Sequence, residues 1–283
     1  MKHNSGSIWM LTAGLLFGCM GVFVKFGAAH FSSNELVFYR SFFSFMFVGG
    51  LMWHSRTPLA TPHWRGHMWR GISGTVAMML FFHCITVLRL ATAMTLNYTS
   101  ALFLTVLTLI VYRDRLHLPL AASLLLGFAG VISLLHPTLE RDQLTSGLLG
   151  LLSGFLAGVA ILNVRELGRA GEPALRVVFY FNLIATLGSG LWMLHDRLHI
   201  PTLHELPLLL AIGASATFAQ LAMTHAYRIG QTMVMSTLSY SAIAFSSLFD
   251  LLFWRDAMPL AGWAGITLIV FSGVISLRLS PKH

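Results

Sequence analysis

Long apolar stretches separated by short polar connections recur along the whole chain. An α-helix needs about 20 predominantly apolar residues to cross the hydrocarbon core of a bilayer, and these stretches have that length. We predict ten spans, near residues 7–26, 34–53, 70–88, 91–112, 117–136, 144–165, 174–194, 205–226, 231–254 and 259–278. Charged residues mark the shortest separations, at Arg89 and at Arg113-Asp114-Arg115. The pattern therefore predicts an all-α membrane protein with ten transmembrane helices.

The composition excludes a soluble protein. Of the 283 residues, 56% are hydrophobic and 10% are charged, whereas a soluble domain carries about a quarter charged residues. The formal net charge of +8 would fit a nucleic-acid binder only if the basic residues formed a patch. They are instead spread singly between apolar spans, so we expect the lipid bilayer, and no nucleic acid, as a partner. Cys19 and Cys84 lie inside spans and indicate no disulfide framework.

The basic residues also predict the orientation of the chain. A cytoplasmic N-terminus places most of the 18 lysines and arginines on the cytoplasmic side, among them Arg65, Arg70 and Arg176, and leaves Arg40 within a span. Cytoplasmic loops of membrane proteins carry an excess of Lys and Arg. We therefore predict a multi-pass protein of the cell (inner) membrane with both termini in the cytoplasm.

The two halves of the sequence, residues 1–138 and 139–283, resemble each other in order. Matching positions include Gly14 with Gly154, Gly18 with Gly158, Arg89 with Arg228, Tyr98 with Tyr240, and Arg113-Asp114 with Arg255-Asp256. Each half holds five predicted spans. Because five is odd, the second half must enter the membrane from the opposite side, which predicts two inverted-topology five-helix repeats. That architecture is typical of carriers that work by alternating access.

Three motifs add a family resemblance. They are Tyr39-Arg40-Ser41-Phe42, Tyr98-Thr99-Ser100-Ala101 leading to an acidic turn, and Gly-Phe-Ala-Gly-Val at 127–131, and the second half ends similarly. On these motifs the chain resembles the EamA family of the drug/metabolite transporter superfamily over essentially its whole length. It departs from the family pattern in carrying Asp114 and Asp256 in place of Glu, and in lacking a proline in the fourth span.

The resemblance implies a secondary transporter, not an enzyme, that needs no cofactor. Its small-molecule substrate would be a polar or amino-acid-like metabolite that is exported. The alternative it leaves open is an importer of a vitamin or cofactor, such as riboflavin or an S-adenosylmethionine-like compound. Because the sequence contains no P-loop string, transport would be driven by a gradient of the substrate or of a coupled ion.

Arg40 is the first candidate for the substrate site. A charge at membrane depth costs several kcal/mol unless it is paired or faces water, so Arg40 would either attract a substrate carboxylate or extend to the outer interface. Glu35 lies five residues earlier, close to the spacing at which helical side chains meet, and is a candidate for coupling.

Asp250, His83 and His225 are further titratable residues within spans. Asp250 and His225 are candidates for proton coupling and His83 for substrate binding, because buried carboxyls and histidines can exchange protons in membranes. The competing interpretation is an interfacial acid and two packing histidines. Neither histidine has a second ligand one helical turn away, so we predict no metal site.

Uncharged polar residues within the spans would complete a pocket. A ligand site is mostly apolar with a few placed polar groups, and interhelical hydrogen bonds worth about 0.6 kcal/mol each are the alternative role. The candidates are Tyr39, Asn97, Tyr98, Asn163, Tyr180, Asn182, Gln220 and Tyr240.

Two other functional classes were weighed against transport. Gly71-Ile72-Ser73-Gly74 matches the short GxSG string of intramembrane serine proteases, although no histidine has an evident position beside Ser73. A membrane scaffold or receptor is expected to carry a sizeable loop or tail, which this pattern of spans leaves little room for. A homodimer remains open as a further partner.

Overall fold

The computed structural model describes residues 2–88, 90–113, 117–136, 143–193, 201–254 and 259–279. Arg89, Asp114, Arg115, Arg255 and Asp256, used in the repeat and span predictions, lie outside the described residues. The described part is built from twelve α-helices, which we number in chain order.

The first half of the chain forms six of these helices. They are α1 (Lys2–Gly27), α2 (Ser33–His54), α3 (Trp64–Val87), α4 (Leu90–Tyr98), α5 (Ser100–Tyr112) and α6 (Leu118–Leu135). The second half forms α7 (Leu144–Arg169), α8 (Ala174–Met193), α9 (Leu206–Ile229), α10 (Thr232–Ser239), α11 (Ser241–Trp254) and α12 (Leu260–Leu279). The predicted spans correspond to these helices in order.

The sequence predicts one continuous helix for the fourth span and one for the ninth. In the structure each of these two spans is divided into two helices. The break between α4 and α5 falls at Thr99, whose hydroxyl donates to the Leu96 carbonyl at 2.5 Å. The break between α10 and α11 falls at Tyr240, whose backbone N–H bonds to Thr237, three residues back. The Ser239 hydroxyl beside this break donates to the Ser236 carbonyl at 2.7 Å. Side chains that bond nearby carbonyls compete with the helical ladder, and such a bond accompanies each break.

Glycines of the first span in each half pack against the break in the other half. A Cβ at Gly154 of α7 would overlap Thr99 and lie 2.6 Å from the Leu96 carbonyl oxygen. A Cβ at Gly14 of α1 would meet Ser241 and lie 3.1 Å from the Ala242 nitrogen. Only a residue without a side chain permits such close approach of two backbones. These glycines therefore allow close packing between the two halves.

Most extensive helix contacts join one half to the other. Helix α1 packs on α9 and α11, α2 on α8 and α9, and α3 on α7 and α8, while α5 packs on α7 and α6 on α12. Contacts between the halves thus form the centre of the bundle.

Nine stretches of the described residues are long and apolar enough to cross a membrane. They match all predicted spans except the third, which corresponds to α3. Large apolar side chains remain exposed around the bundle, including Ile110 (68%), Leu191 (69%) and Leu252 (69%). A multi-pass membrane protein explains this exposure, because lipid tails cover such side chains without cost.

Candidate functional site

Arg40 is buried inside the bundle rather than extended to the interface. Its exposure is 9%, and its Nη1 donates to the sulfur of Met78 in α3 at 3.3 Å, which is a weak acceptor. No carboxylate among the residues that the structure describes lies within salt-bridge distance of Arg40. The competing interpretation, that the side chain extends along the helix to reach the membrane surface, is therefore wrong.

Glu35 does not pair with Arg40. It closes a capping box at the start of α2, in which its Oε2 accepts from the Ser32 backbone N–H at 2.8 Å. The Ser32 hydroxyl in turn accepts from the Glu35 backbone N–H at 3.3 Å. Such a box satisfies N–H groups that the first helical turn leaves open. Glu35 thus defines where α2 begins.

Arg70, which stands at the start of the predicted third span, is a second buried arginine. Its helix begins six residues earlier, at Trp64, so its side chain enters the bundle and is 4% exposed. Nη2 donates to Oε1 of Gln220 in α9 at 3.4 Å. The guanidinium carbon lies 4.0 Å from the ring centre of Phe181 in α8, and Nε has no hydrogen-bond partner.

Arg40 and Arg70, which we call the arginine pair, both lie along one face of α3. Arg70, Gly74 and Met78 occupy successive turns, at a spacing of four residues that keeps them on the same face. A Cβ at Gly74 would overlap Nη1 of Arg70, so the Arg70 guanidinium extends along α3 towards Met78, the residue that Arg40 contacts.

Tyr98 and Tyr240 are brought together by the two helix breaks. Their ring centres are 6.3 Å apart, and Tyr240 also packs on Phe128 of α6. Tyr240 is fully buried, and its hydroxyl has no hydrogen-bond partner. The two equivalent positions noticed in the sequence are thus neighbours, and one of them has an unused polar group.

The amide candidates have structural partners. Nδ2 of Asn97 donates to the Ser153 hydroxyl at 3.2 Å, which links α4 to α7. Asn163 and Asn182 donate to carbonyls one turn back in their own helices, those of Val159 (2.8 Å) and Val178 (3.0 Å). Among these candidates, Gln220 is the one that contacts the arginine pair.

Tyr39 and Tyr180 lie elsewhere. Tyr39 belongs to an aromatic cluster with Phe31, Phe38 and Phe43. The Tyr180 hydroxyl donates to the Leu59 carbonyl at 2.9 Å, in the connection between α2 and α3.

The coupling candidates Asp250 and His225 and the substrate-binding candidate His83 lie apart from the arginine pair. Asp250 pairs with Lys25 at 2.7 Å, and the two side chains are 47% and 44% exposed. His225 packs edge-on against Trp9, with ring centres 5.1 Å apart. His83 lies on an exposed face of α3.

A buried carboxylate cluster, which was not predicted from the sequence, lies at one end of the bundle. Glu172, between α7 and α8, has a side chain only 3% exposed. Its oxygens lie 2.5 Å from the Thr61 hydroxyl, 3.0 Å from Nδ1 of His63, 3.3 Å from Nε2 of His67 and 2.8 Å from Nη1 of Arg176. We call these five residues the carboxylate cluster.

The hydrogen bonds of the carboxylate cluster decide the ionisation of Glu172. Burial by itself raises the pKa of this carboxyl, but the hydrogen bonds from Thr61, His63, Arg176 and His67 outweigh burial and lower the pKa to about 2. Arg176, at the start of the predicted seventh span, is buried in this cluster. The sequence does not reveal the cluster, because Glu172 and Arg176 lie more than 100 residues from Thr61, His63 and His67.

Ser73 does not occupy a protease-like site. Its hydroxyl donates to the Trp69 carbonyl one turn back at 2.5 Å, and no histidine in the described part of the chain bonds to it. A serine protease needs a base within hydrogen-bond distance of its nucleophile.

Comparison with known proteins identifies the class of molecule. The sequence pattern of the EamA-like transporter family matches residues 4–135 and again residues 144–278. A solved crystal structure shares the fold, with a TM-score of 0.86 over 100% of both chains at 18% identity.

Three transporters resemble the chain over nearly its full length. An "Uncharacterized transporter" of Helicobacter pylori is 27% identical over 95% of this chain and 93% of its own. The pseudopaline exporter CntI of Pseudomonas aeruginosa is 28% identical over 94% of both chains. A riboflavin transporter of Vibrio cholerae is 23% identical over 96% of this chain and 93% of its own.

Proposed function

Since this chain belongs to the EamA-like transporter family, we propose that it is a secondary transporter of the inner membrane that exports a small, amino-acid-like metabolite by alternating access. The likeness to a pseudopaline exporter over 94% of both chains supports export. The lack of a P-loop string supports a gradient as the source of energy.

The proposed architecture has ten spans in two inverted repeats, residues 1–138 and 139–283, with both termini in the cytoplasm. Helix α3, which is third along the chain, brings the nine apolar stretches to ten spans, because its 24 residues extend about 36 Å. Helix pairing supports the inversion, because contacts recur when the halves are exchanged. The contact between α1 and α9 corresponds to the contact between α7 and α3. In the same way, the contact between α2 and α9 corresponds to the contact between α8 and α3.

One observation carries the transport proposal, namely that Arg40 is buried in a candidate membrane span without a carboxylate partner among the residues that the structure describes. A buried, uncompensated charge destabilises a fold, so a protein with only a structural role gains nothing from it. A carrier gains a group that recognises a substrate carboxylate. We place Gln220, Tyr98 and Tyr240 along the substrate path together with Arg40. Gln220 contacts Arg70, and the two tyrosines pack on each other at the helix breaks.

The carboxylate cluster supports the alternating mechanism. It ties the connection between α2 and α3 to the turn between α7 and α8, and therefore one half to the other at one end of the bundle. A carrier must make and break contacts of this kind as its halves rock against each other. In the proposed cycle the cluster holds that end closed, and Asp250, paired with Lys25, is the group that couples transport to protons.

Flux through purified protein in proteoliposomes tests the function. The panel contains labelled amino acids and riboflavin, with and without a proton gradient, in both orientations. We expect saturable movement of a carboxylate-bearing compound that Arg40→Gln abolishes. The matched control is Arg65→Gln, because Arg65 stacks on Trp64 in the first turn of α3. Unchanged flux in Arg40→Gln would contradict the role of Arg40, and uptake of riboflavin alone would favour the vitamin importer.

A further inference from the structure

The arginine pair is an unusual feature for a protein interior. Both side chains are more than nine-tenths buried, and a guanidinium stays protonated under ordinary conditions. Buried charges are normally paired with opposite charges. Here two like charges lie along the same face of α3, and neither has a carboxylate partner in the described part of the chain. The pair therefore leaves two positive charges uncompensated.

Most hydrogen-bond donors of the pair have no partner among the described residues. A guanidinium presents five N–H donors in a planar fork. Arg40 uses one, to the weak acceptor sulfur of Met78. Arg70 uses one, to the neutral amide of Gln220 at 3.4 Å, and its Nε has no partner. The fork matches the two oxygens of a carboxylate, and a bond to a charged acceptor is about twice as strong as a neutral one.

Both halves of the chain build this site. The two charges come from α2 and α3, whereas Gln220 and Phe181, which contact Arg70, belong to α9 and α8. The face of an aromatic ring attracts a cation, so Phe181 fixes the position of Arg70 without neutralising its charge. A ligand held by both arginines would compensate the two charges and lie at the contact between the halves.

We propose that the arginine pair binds a small organic dicarboxylate, with one carboxylate on Arg40 and the other on Arg70. This inference rests on the proposed transport function, since it names the substrate class of the same site. Gln220 and Phe181 act as positioning residues for Arg70. A compound with two carboxylates should bind more tightly than its monoamide, and the monoamide more tightly than the diamide, by about tenfold or more at each step.

Ligand-dependent thermal unfolding of the full-length protein in detergent tests the binding site. The probes are the straight-chain dicarboxylates from malonate to adipate, each with its monoamide and diamide, at matched ionic strength. In the parent, at least one dicarboxylate should raise the midpoint more than its monoamide does, and its diamide should leave the midpoint unchanged. If no dicarboxylate exceeds its diamide, the proposal is overturned.

Glutamine variants distinguish binding from a structural role. Without ligand, Arg40→Gln and Arg70→Gln should be as stable as the parent or more so, because each removes an uncompensated charge. Both should lose the shift that the dicarboxylate causes, whereas Arg65→Gln should keep it. An unliganded midpoint that falls in Arg70→Gln, with the dicarboxylate shift retained, would show that Arg70 serves only the fold.

Flux measurements separate the two proposals. Transport of neutral or cationic compounds at the parental rate in Arg70→Gln would overturn the dicarboxylate site and leave the transporter standing. A dicarboxylate shift with no flux of any compound would support the site and contradict the transport function. Flux of a dicarboxylate that Arg70→Gln abolishes supports both.

Discussion

Nη1 of Arg176 lies 2.8 Å from Oε2 of Glu172, across the first turn of α8. Nε of the same guanidinium donates to the Pro58 carbonyl at 2.8 Å, in the connection between α2 and α3. One arginine therefore holds a buried carboxylate and a loop of the other half together. This contact joins the two halves at one end of the bundle, and its contribution to the free energy of unfolding can be measured.

Replacing Glu172 with Gln should destabilise the protein. The variant leaves Arg176 buried without its carboxylate, and removal of one partner of a buried pair costs about 3 kcal/mol or more in the free energy of unfolding. Thermal unfolding in detergent measures the loss. Glu166→Gln is the control, because this exposed carboxylate accepts only a surface hydrogen bond from Tyr112. Equal midpoints for the two variants would contradict the importance of the carboxylate cluster.

The contribution of Glu172 should also depend on pH in a defined direction. Its pKa is lowered from 4.5 to about 2 in the folded protein. A lowered pKa stabilises the folded state fully above the unfolded pKa, and the stabilisation is lost as the pH falls through the folded pKa. The difference in midpoint between the parent and Glu172→Gln should stay constant above pH 4.5 and shrink between 4.5 and about 2. A difference that shrinks near neutral pH would point to His63 or His67 instead.

Replacing Gly74 with Ala should impair transport. The added methyl would overlap Nη1 of Arg70 and lie 3.0 Å from the Phe181 ring, so the Arg70 guanidinium must move away from Arg40. We expect at least a tenfold weaker apparent affinity, since loss of one charge-assisted hydrogen bond costs about 1.5–3 kcal/mol. Gly50→Ala is the matched control, because a Cβ there meets nothing within 4 Å. Equal affinities would show that the position of Arg70 is unimportant.

Replacing Tyr240 with Phe should reduce transport without reducing stability. The buried hydroxyl has no partner, so its removal leaves no bond unmade and deletes a polar group whose burial costs about 1–3 kcal/mol. Tyr180→Phe provides the comparison, because it removes a bond to the Leu59 carbonyl and should lower the unfolding midpoint. Unfolding and flux are measured on the same samples. Parental flux in Tyr240→Phe would exclude the hydroxyl from the transport path.

Replacing Asp250 with Asn should uncouple transport from protons. The exposed Lys25–Asp250 pair contributes at most about 1 kcal/mol to stability, so the fold should be unaffected. We expect exchange of substrate across the membrane to continue while accumulation driven by a proton gradient is lost. Retained accumulation would show that the coupling group lies elsewhere.

The sequence predicted the features that depend on local composition and on order along the chain. Apolar length located the spans, and the equivalence of Tyr98 and Tyr240 anticipated two residues that are neighbours in space. The hydropathy pattern did not predict the breaks at Thr99 and Tyr240, because it carries no information on hydrogen bonds within a helix. A single apolar run can therefore hold two helices.

What the sequence by itself determined is the class of the protein, an all-helical membrane transporter whose Arg40 lies at membrane depth. The tertiary structure alone decided which charges are buried. Arg70 and Arg176 stand at the first residues of predicted spans, and Glu172 lies in a polar connection, yet packing across the halves buries all three. The physical reason is that burial and pairing of a charge depend on neighbours distant in sequence, whereas hydrophobic length depends on residues adjacent in the chain.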